Sequence, residues 1–154
     1  ESGARQAKAV IDRLLQEDPS CKVMIMGDMN DDPINKSMTE GLRAKANIEE
    51  VGDGDMYNPW YNILVKEGKG TLMYNGSWNL FDQIILSPNL LNRDGEKDYS
   101  SLKLFSYHVF RRDYLIQQEG KYKGSPKRTH AGGVWLRGYS DHLPVVVYLA
   151  KNKN

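Results

Sequence analysis

The chain has 154 residues, 40% hydrophobic and 27% charged, which is the size of one ordinary domain with one core. Lys and Arg number 21 against 20 Asp and Glu, a formal net charge of +1, so there is no global field for a polyanion and any recognition of nucleic acid or phospholipid has to be local. The single cysteine, Cys21, excludes an internal disulfide framework and a cysteine-based zinc cluster, and no run approaches the ~20 apolar residues that span a bilayer.

The start, "ESGARQAKAV", has neither an apolar signal core nor an initiator Met. It reads as a processed or cut piece, and the compartment stays open, with an export signal upstream neither supplied nor ruled out. Ala7, Val10, Ile11, Leu14 and Leu15 then recur at helical spacing until Asp18-Pro19, which predicts an amphipathic helix. Residues 22–26 follow as a strand without polar alternation, the pattern of a strand covered on both faces. Helix and buried strand together predict an α/β or α+β domain.

"VMIMGDMNDDP", residues 23–33, ends this strand in three aspartates and an asparagine. Asp32-Pro33 fits an N-cap and first helical position, predicting a second helix through "DPINKSMTEGLRAKA". Residues 47–70 read as loop with a short helix about 61–66. Asn75-Gly76, set between two strand-like runs, is the strongest short-range hairpin signal. A strand is expected over 102–110, a long loop over 117–133 carrying Lys121, Lys123, Lys127, Arg128 and His130, and a second apolar strand over 143–150. No repeat, low-complexity tract or linker interrupts the chain, so 1–154 reads as a single, partial domain.

Three places share one design, in which an apolar strand meets polar groups at or near its end. They are Asp28-Met29-Asn30, Asp82 within "NLFDQIIL", and Ser140-Asp141-His142. A carboxylate inside an apolar strand is costly unless paired, so Asp82 needs a partner, for which a histidine is suited. Carboxylates with a histidine are what metal-assisted phosphate chemistry needs. A hard cation prefers oxygen ligands, a base takes a proton from water, and donors stabilise charge on the phosphoryl oxygens. Competing readings are a plain turn at Asp28 and Asn30, a structural role for His142 and a structural carboxylate at Asp82. An EF-hand fails, because Pro33 stands where the loop requires glycine and Thr39 where it requires the bidentate glutamate.

"IMGDMND", "SWNLFDQIILS" and "GYSDHLPVVVYL", in this order, resemble the C-terminal motifs of the endonuclease/exonuclease/phosphatase superfamily, over residues 4–149. The resemblance implies a four-layer αββα sandwich of the deoxyribonuclease-I-like type, of α/β (α+β) class, with this chain supplying roughly its C-terminal half. It implies a Mg2+-dependent phosphoesterase or nuclease-like hydrolase, with Mn2+ as a substitute. In that pattern Asp28 orients or deprotonates the attacking water and Asn30 donates to the scissile phosphate. Asp82 fixes the ring of His142, which stabilises the phosphoryl charge. Asp141 is a metal ligand, and Trp78 and Asn79 stand where the family often lines its substrate cleft, with hairpin packing an equal alternative for Trp78. Asp31 and Asp32 have no catalytic role there, and capping the next helix suffices to explain them.

The family's first half carries an asparagine and the main metal-binding glutamate, and neither has a counterpart here. Gln16-Glu17 and Gln118-Glu119 are no substitutes, the one ending a helix and the other lying in a polar loop. The isolated chain is therefore expected to bind Mg2+ poorly and to hydrolyse phosphoesters slowly or not at all. Its bare sheet face should be covered by the other half of the domain or by self-association. The substrate is a phosphoester in nucleic acid, a phospholipid head group or a small phosphometabolite, and the motifs do not choose among them. The alternatives are a non-catalytic binding module or pseudoenzyme that keeps the fold, and a fragment active only on complementation. His108 and His130 read as structural or surface residues. The cations at 121–128 read as a solvated surface or as a device that steers a phosphate.

Overall fold

The computed structural model describes residues 1–93 and 95–153. In chain order it contains α1 (Ser2–Glu17), β1 (Met24–Asp28), a π-helical turn (Ser37–Gly41), β2 (Ala44–Lys45), β3 (Met56–Tyr57) and α2 (Trp60–Val65). There follow β4 (Leu72–Tyr74), β5 (Ser77–Asn79), β6 (Asp82–Leu86), β7 (Lys103–Val109), β8 (His130–Ala131), β9 (Val134–Trp135) and β10 (Val145–Ala150), with short 3-10 turns between. This is a mixed α/β chain with several sheets, of α+β type.

α1 stops where Asp18 turns extended, its N–H still bonded to Leu14 O at 2.9 Å. Asp18 Oδ1 then accepts from Ser20 N and Oγ at 2.9 and 2.6 Å and redirects the chain. Ala4, Ala7, Ile11 and Leu15 pack inward, and buried Lys8 pairs with Asp12 one turn on. Val10 and Leu14, expected in the apolar stripe, are exposed. The inward stripe is narrower than the sequence suggests.

The main sheet has the order β1-β6-β3-β2, in which β2 and β3 are parallel and β6 is antiparallel to both β1 and β3. Side chains alternate between faces along each strand. Ile25, Met56 and Ile85 therefore meet α1 together with Met38 and Leu42. The opposite face carries Tyr57, Ile84 and Leu86, and the antiparallel pair β7–β10 covers them with Leu104, Tyr107, Val109, Val145, Val147 and Leu149. Between the two sheets the Tyr57 and Tyr107 hydroxyls lie 3.5 Å apart, and burial pushes the Tyr57 phenol above its usual range.

Two strand expectations need correction. The first strand runs over Met24–Asp28 rather than 22–26, and it lies at a sheet edge with Met26 60% exposed. Among the described residues it pairs with β6 alone, and Met24 and Met26, on the face that carries Ile84 and Leu86, stay exposed. The last strand is likewise apolar on both faces but covered on one. Phe105 and Tyr148 of the β7–β10 pair are 65% and 52% exposed, and the Tyr148 ring stacks on His108 at 5.8 Å. An apolar run reads the same whether its second face is covered or open.

The second helix expected after Asp32-Pro33 is absent as such. A turn leads into the five-residue π-helical segment, whose N-cap has no side-chain hydrogen bond. Asp32 instead reaches 47 and 48 residues along the chain. Its Oδ2 accepts from Asn79 Nδ2 at 2.7 Å, and its Oδ1 accepts from Leu80 N at 2.6 Å. Asp31 accepts from Ser37 Oγ at 2.5 Å and from Asn35 Nδ2 at 3.1 Å. The two acids that were read as caps pin the end of β1 to its surroundings.

The Asn75-Gly76 hairpin forms as β4–β5, both turn residues having positive φ, 48 and 79 degrees, as a two-residue primed turn requires. At its base Gly70 is indispensable, since a Cβ there would lie 2.3 Å from Asn79 O. The expected loop over 117–133 is more ordered than its composition indicates. Gln117 N bonds Ser125 O and Gly124 N bonds Gln117 O, each at 2.8 Å, and Ile116 bridges Pro126.

Candidate active site

Antiparallel pairing of β1 with β6 sets Asp28 opposite Asp82, and directly paired residues of this kind stand about 5 Å apart on one face. Asp28 ends its strand with one more ladder bond, Met29 N to Phe81 O at 2.8 Å. Its Oδ1 accepts from Asn30 N at 2.9 Å, an Asx-type turn that lets Asn30 adopt a left-handed φ of 52 degrees, which asparagine tolerates better than most residues. The turn exposes the Asp28 carboxylate and the Asn30 amide together.

His142 arrives from a third element. Its Nδ1 lies 2.7 Å from Asp82 Oδ2, with both side chains about three-quarters buried. A carboxylate on Nδ1 holds the ring and leaves Nε2 as the working nitrogen. The ring is positioned from both sides. His142 N donates to Ser140 Oγ at 3.1 Å, and the next residue, buried Leu143, donates its N–H to Thr71 O at 2.7 Å.

Thr71 is a residue that sequence reasoning missed. Fully buried, it accepts from Leu143 N through its carbonyl and from Asp82 N through Oγ1 at 3.4 Å, so it binds the backbone of Asp82 and of the residue that follows His142. Nothing in "GTLMY" marks it, because both partners are distant in sequence. Gln83 was missed as well. Fully buried, it donates through Nε2 to Asp31 O and Leu80 O at 2.7 and 3.1 Å and accepts from Asn58 Nδ2 at 2.7 Å. This satisfied polar network stiffens the floor beneath Asp28 and Asp82.

The remaining candidates make other contacts. Asn79 engages its amide with Asp32. Trp78 faces a cavity of about 560 Å³ between the end of α2 and the free edge of β7, with the Arg111 guanidinium 5.3 Å over its ring. None of Asp28, Asp82 and His142 lines that cavity. Asp141, half exposed, has Arg128 Nη2 at 3.8 Å from its Oδ2, a surface pairing of small worth. Among the described residues no group of three or more His, Cys, Asp or Glu converges to hold a metal ion. The donors suit a hard cation in kind, since they are carboxylates and amides, but not in number.

Asp32 yields a test of this geometry. Truncation to alanine removes two charge-assisted acceptors at the Asn79–Leu80 junction and should cost about 2 kcal/mol. Urea unfolding measures it, and an unchanged midpoint would show that Asp32 does not anchor the β1 exit.

A family model described as "Endonuclease/Exonuclease/phosphatase family" matches residues 1–151. The chain belongs to the endonuclease/exonuclease/phosphatase family. Comparison with curated proteins and with solved structures returned no significant match. Family members include hydrolases acting on phosphoesters.

Proposed function

We propose that this chain carries water-activating residues of a divalent-cation-dependent phosphoesterase. The observation that carries the reading is Asp82, paired across the strands with Asp28 and bonded at 2.7 Å to His142. In this mechanism Asp28 orients the attacking water and takes its proton as the water oxygen attacks phosphorus. Asn30 donates to a phosphoryl oxygen, and His142, held by Asp82, donates from Nε2 to the oxygen on which charge grows. The P–O bond to the leaving alcohol then breaks. The constellation serves nucleic acid, a phospholipid head group or a small phosphometabolite equally.

Mg2+, or Mn2+ in its place, is the proposed cofactor. Asp141 would hold it with one carboxylate, further oxygen donors coming from outside the described residues. The proposed architecture is the four-layer αββα sandwich, of which this chain forms roughly the C-terminal half. Its support is the open edge of β1, with exposed Met24 and Met26, and the uncovered outer face of β7–β10 at Phe105 and Tyr148. Exposed apolar surface of this kind calls for a cover, either the other half of the domain or a second copy.

A non-catalytic binding module is the second reading, favoured by the shortage of converging metal ligands. One assay separates the two. Diester and monoester substrates are offered, with Mg2+ and with a chelator, to the 154-residue chain and to the chain joined to a first half carrying the metal glutamate. Chelator-sensitive turnover in the joined protein, at least about a hundredfold above the isolated chain, is the expected result. No turnover in either form would leave the binding module, and fast turnover by the isolated chain would remove the half-domain claim.

A further inference from the structure

A second groove has Asp141 in its wall and shares no lining residue with the Trp78 cavity. It has a volume of about 950 Å³ and lies between the tip of the β4–β5 hairpin and the turn at residues 120–123. Lys121, Lys123 and Arg128 line it, against Glu119 and Asp141, and Tyr74 and Tyr122 supply exposed rings. Its cations outnumber its acids in a chain whose charges otherwise nearly cancel.

The lysines are presented on a folded platform. Lys123 N bonds Gly120 O at 3.2 Å, Ser125 N bonds Tyr122 O at 3.1 Å, and Lys127 N bonds Leu115 O at 2.7 Å, which closes the base. Gly120 and Gly124 take the positive φ values, 77 and 90 degrees, that let the chain reverse twice within five residues. Gly138 lets the irregular segment after β9 press against this base, since a Cβ there would lie 1.9 Å from Lys127 O. Among the described residues neither Lys121 nor Lys123 has a carboxylate within salt-bridge distance, whereas Arg128 pairs with Asp141. Two cations held on an ordered turn bind an anion at lower entropic cost than two on a flexible loop.

We infer that this groove is a subsite for a second, non-reacting phosphate group of the substrate, held by Lys121 and Lys123 while the first phosphate reacts at His142. The inference rests on the hydrolytic reading for the location of the scissile phosphate, and it narrows the substrate class to molecules with at least two phosphates. Energy gained at a remote phosphate positions the reacting one. Arg128 sits where the two regions meet, beside Asp141.

The test is a binding measurement without divalent cation, by titration calorimetry, on the 154-residue chain. Butyl phosphate and butanediol bisphosphate are the probes, and inorganic phosphate is the competitor. The bisphosphate should bind about tenfold more tightly, the increment that paired cation–phosphate contacts supply at moderate salt. In the Lys121→Gln/Lys123→Gln variant this ratio should fall below about twofold. A ratio below twofold in the unmodified chain, or one undiminished in the variant, overturns the inference. So does inorganic phosphate displacing both probes equally well, because the groove would then be a site for free anion. No turnover by the chain joined to its first half, with the ratio intact in the 154-residue chain, would sink the hydrolytic reading and leave the phosphate subsite standing. Turnover without the ratio would do the reverse.

Discussion

His142→Ala should lower kcat/KM for phosphoester hydrolysis about a thousandfold in the catalytically complete protein, the usual scale for removing one preorganised donor or acid–base group. The loss should fall on kcat with KM nearly unmoved, because the contact with the developing phosphoryl charge exists mainly in the transition state. Asp28→Asn should match it in size for a different reason: an amide of the same shape still accepts from Asn30 N but cannot take a proton from water. Asp82→Asn should lose less, since an amide oxygen can still accept from the His142 ring across the 2.7 Å contact while the ring loses the charge that supports it. Steady-state kinetics with matched unfolding midpoints check the ordering. Rates within threefold of the unmodified protein for His142→Ala and Asp28→Asn would end the mechanistic claim.

The second large effect concerns stability. Trp60 is 0% exposed, sits edge-on to Tyr107 at 5.9 Å between ring centroids, and donates Nε1–H to Ile84 O at 2.9 Å. It therefore ties α2 to β6 on one side and to β7 on the other. Trp60→Ala should cost about 3–5 kcal/mol through the cavity it leaves, with an orphaned Ile84 carbonyl in addition. For a protein stable by about 5–15 kcal/mol that is a large share. Trp60→Phe keeps the ring contact and should lose less than half as much. Denaturant unfolding of both variants gives the measurement, and a loss below about 1 kcal/mol for the alanine variant would show that the sheets do not depend on this plug. Because Asp82 opens β6 and His142 leads into β10, the same cavity should loosen the pair they form.

Much of this molecule was legible locally. Asn75-Gly76 specified its hairpin because both residues accept positive φ at little cost, a preference written within two residues. The end of α1 at Asp18 and the short α2 were legible for similar reasons. "NLFDQIIL" announced an acid that required a partner, and desolvation physics named the kind of partner. It could not say which of three histidines would come.

Where the sequence misled, the cause was a competitor further along the chain. Asp32-Pro33 has every local mark of a helix start, yet the Asp32 carboxylate faces Leu80 N and the Asn79 amide, and two strong acceptor contacts outweigh a cap worth about 1 kcal/mol. Met24 and Met26 look like core residues in the run "VMIM" but stand on the uncovered face of an edge strand.

By itself, then, the sequence determined the elements whose causes lie within a few residues of each other, together with three apolar strands that meet chemically useful groups at or near one end. Backbone preference, capping and alternation act over that range. Tertiary structure alone decided that Asp28 stands opposite Asp82 and that Thr71 binds the backbone of Asp82 and of Leu143, the residue after His142, while the pairing of Asp82 with His142, implied by the family resemblance, is realised as a 2.7 Å contact. Those facts depend on strand register and on packing between segments about 60 residues apart. Such contacts form only when burial of the shared core brings their chains together.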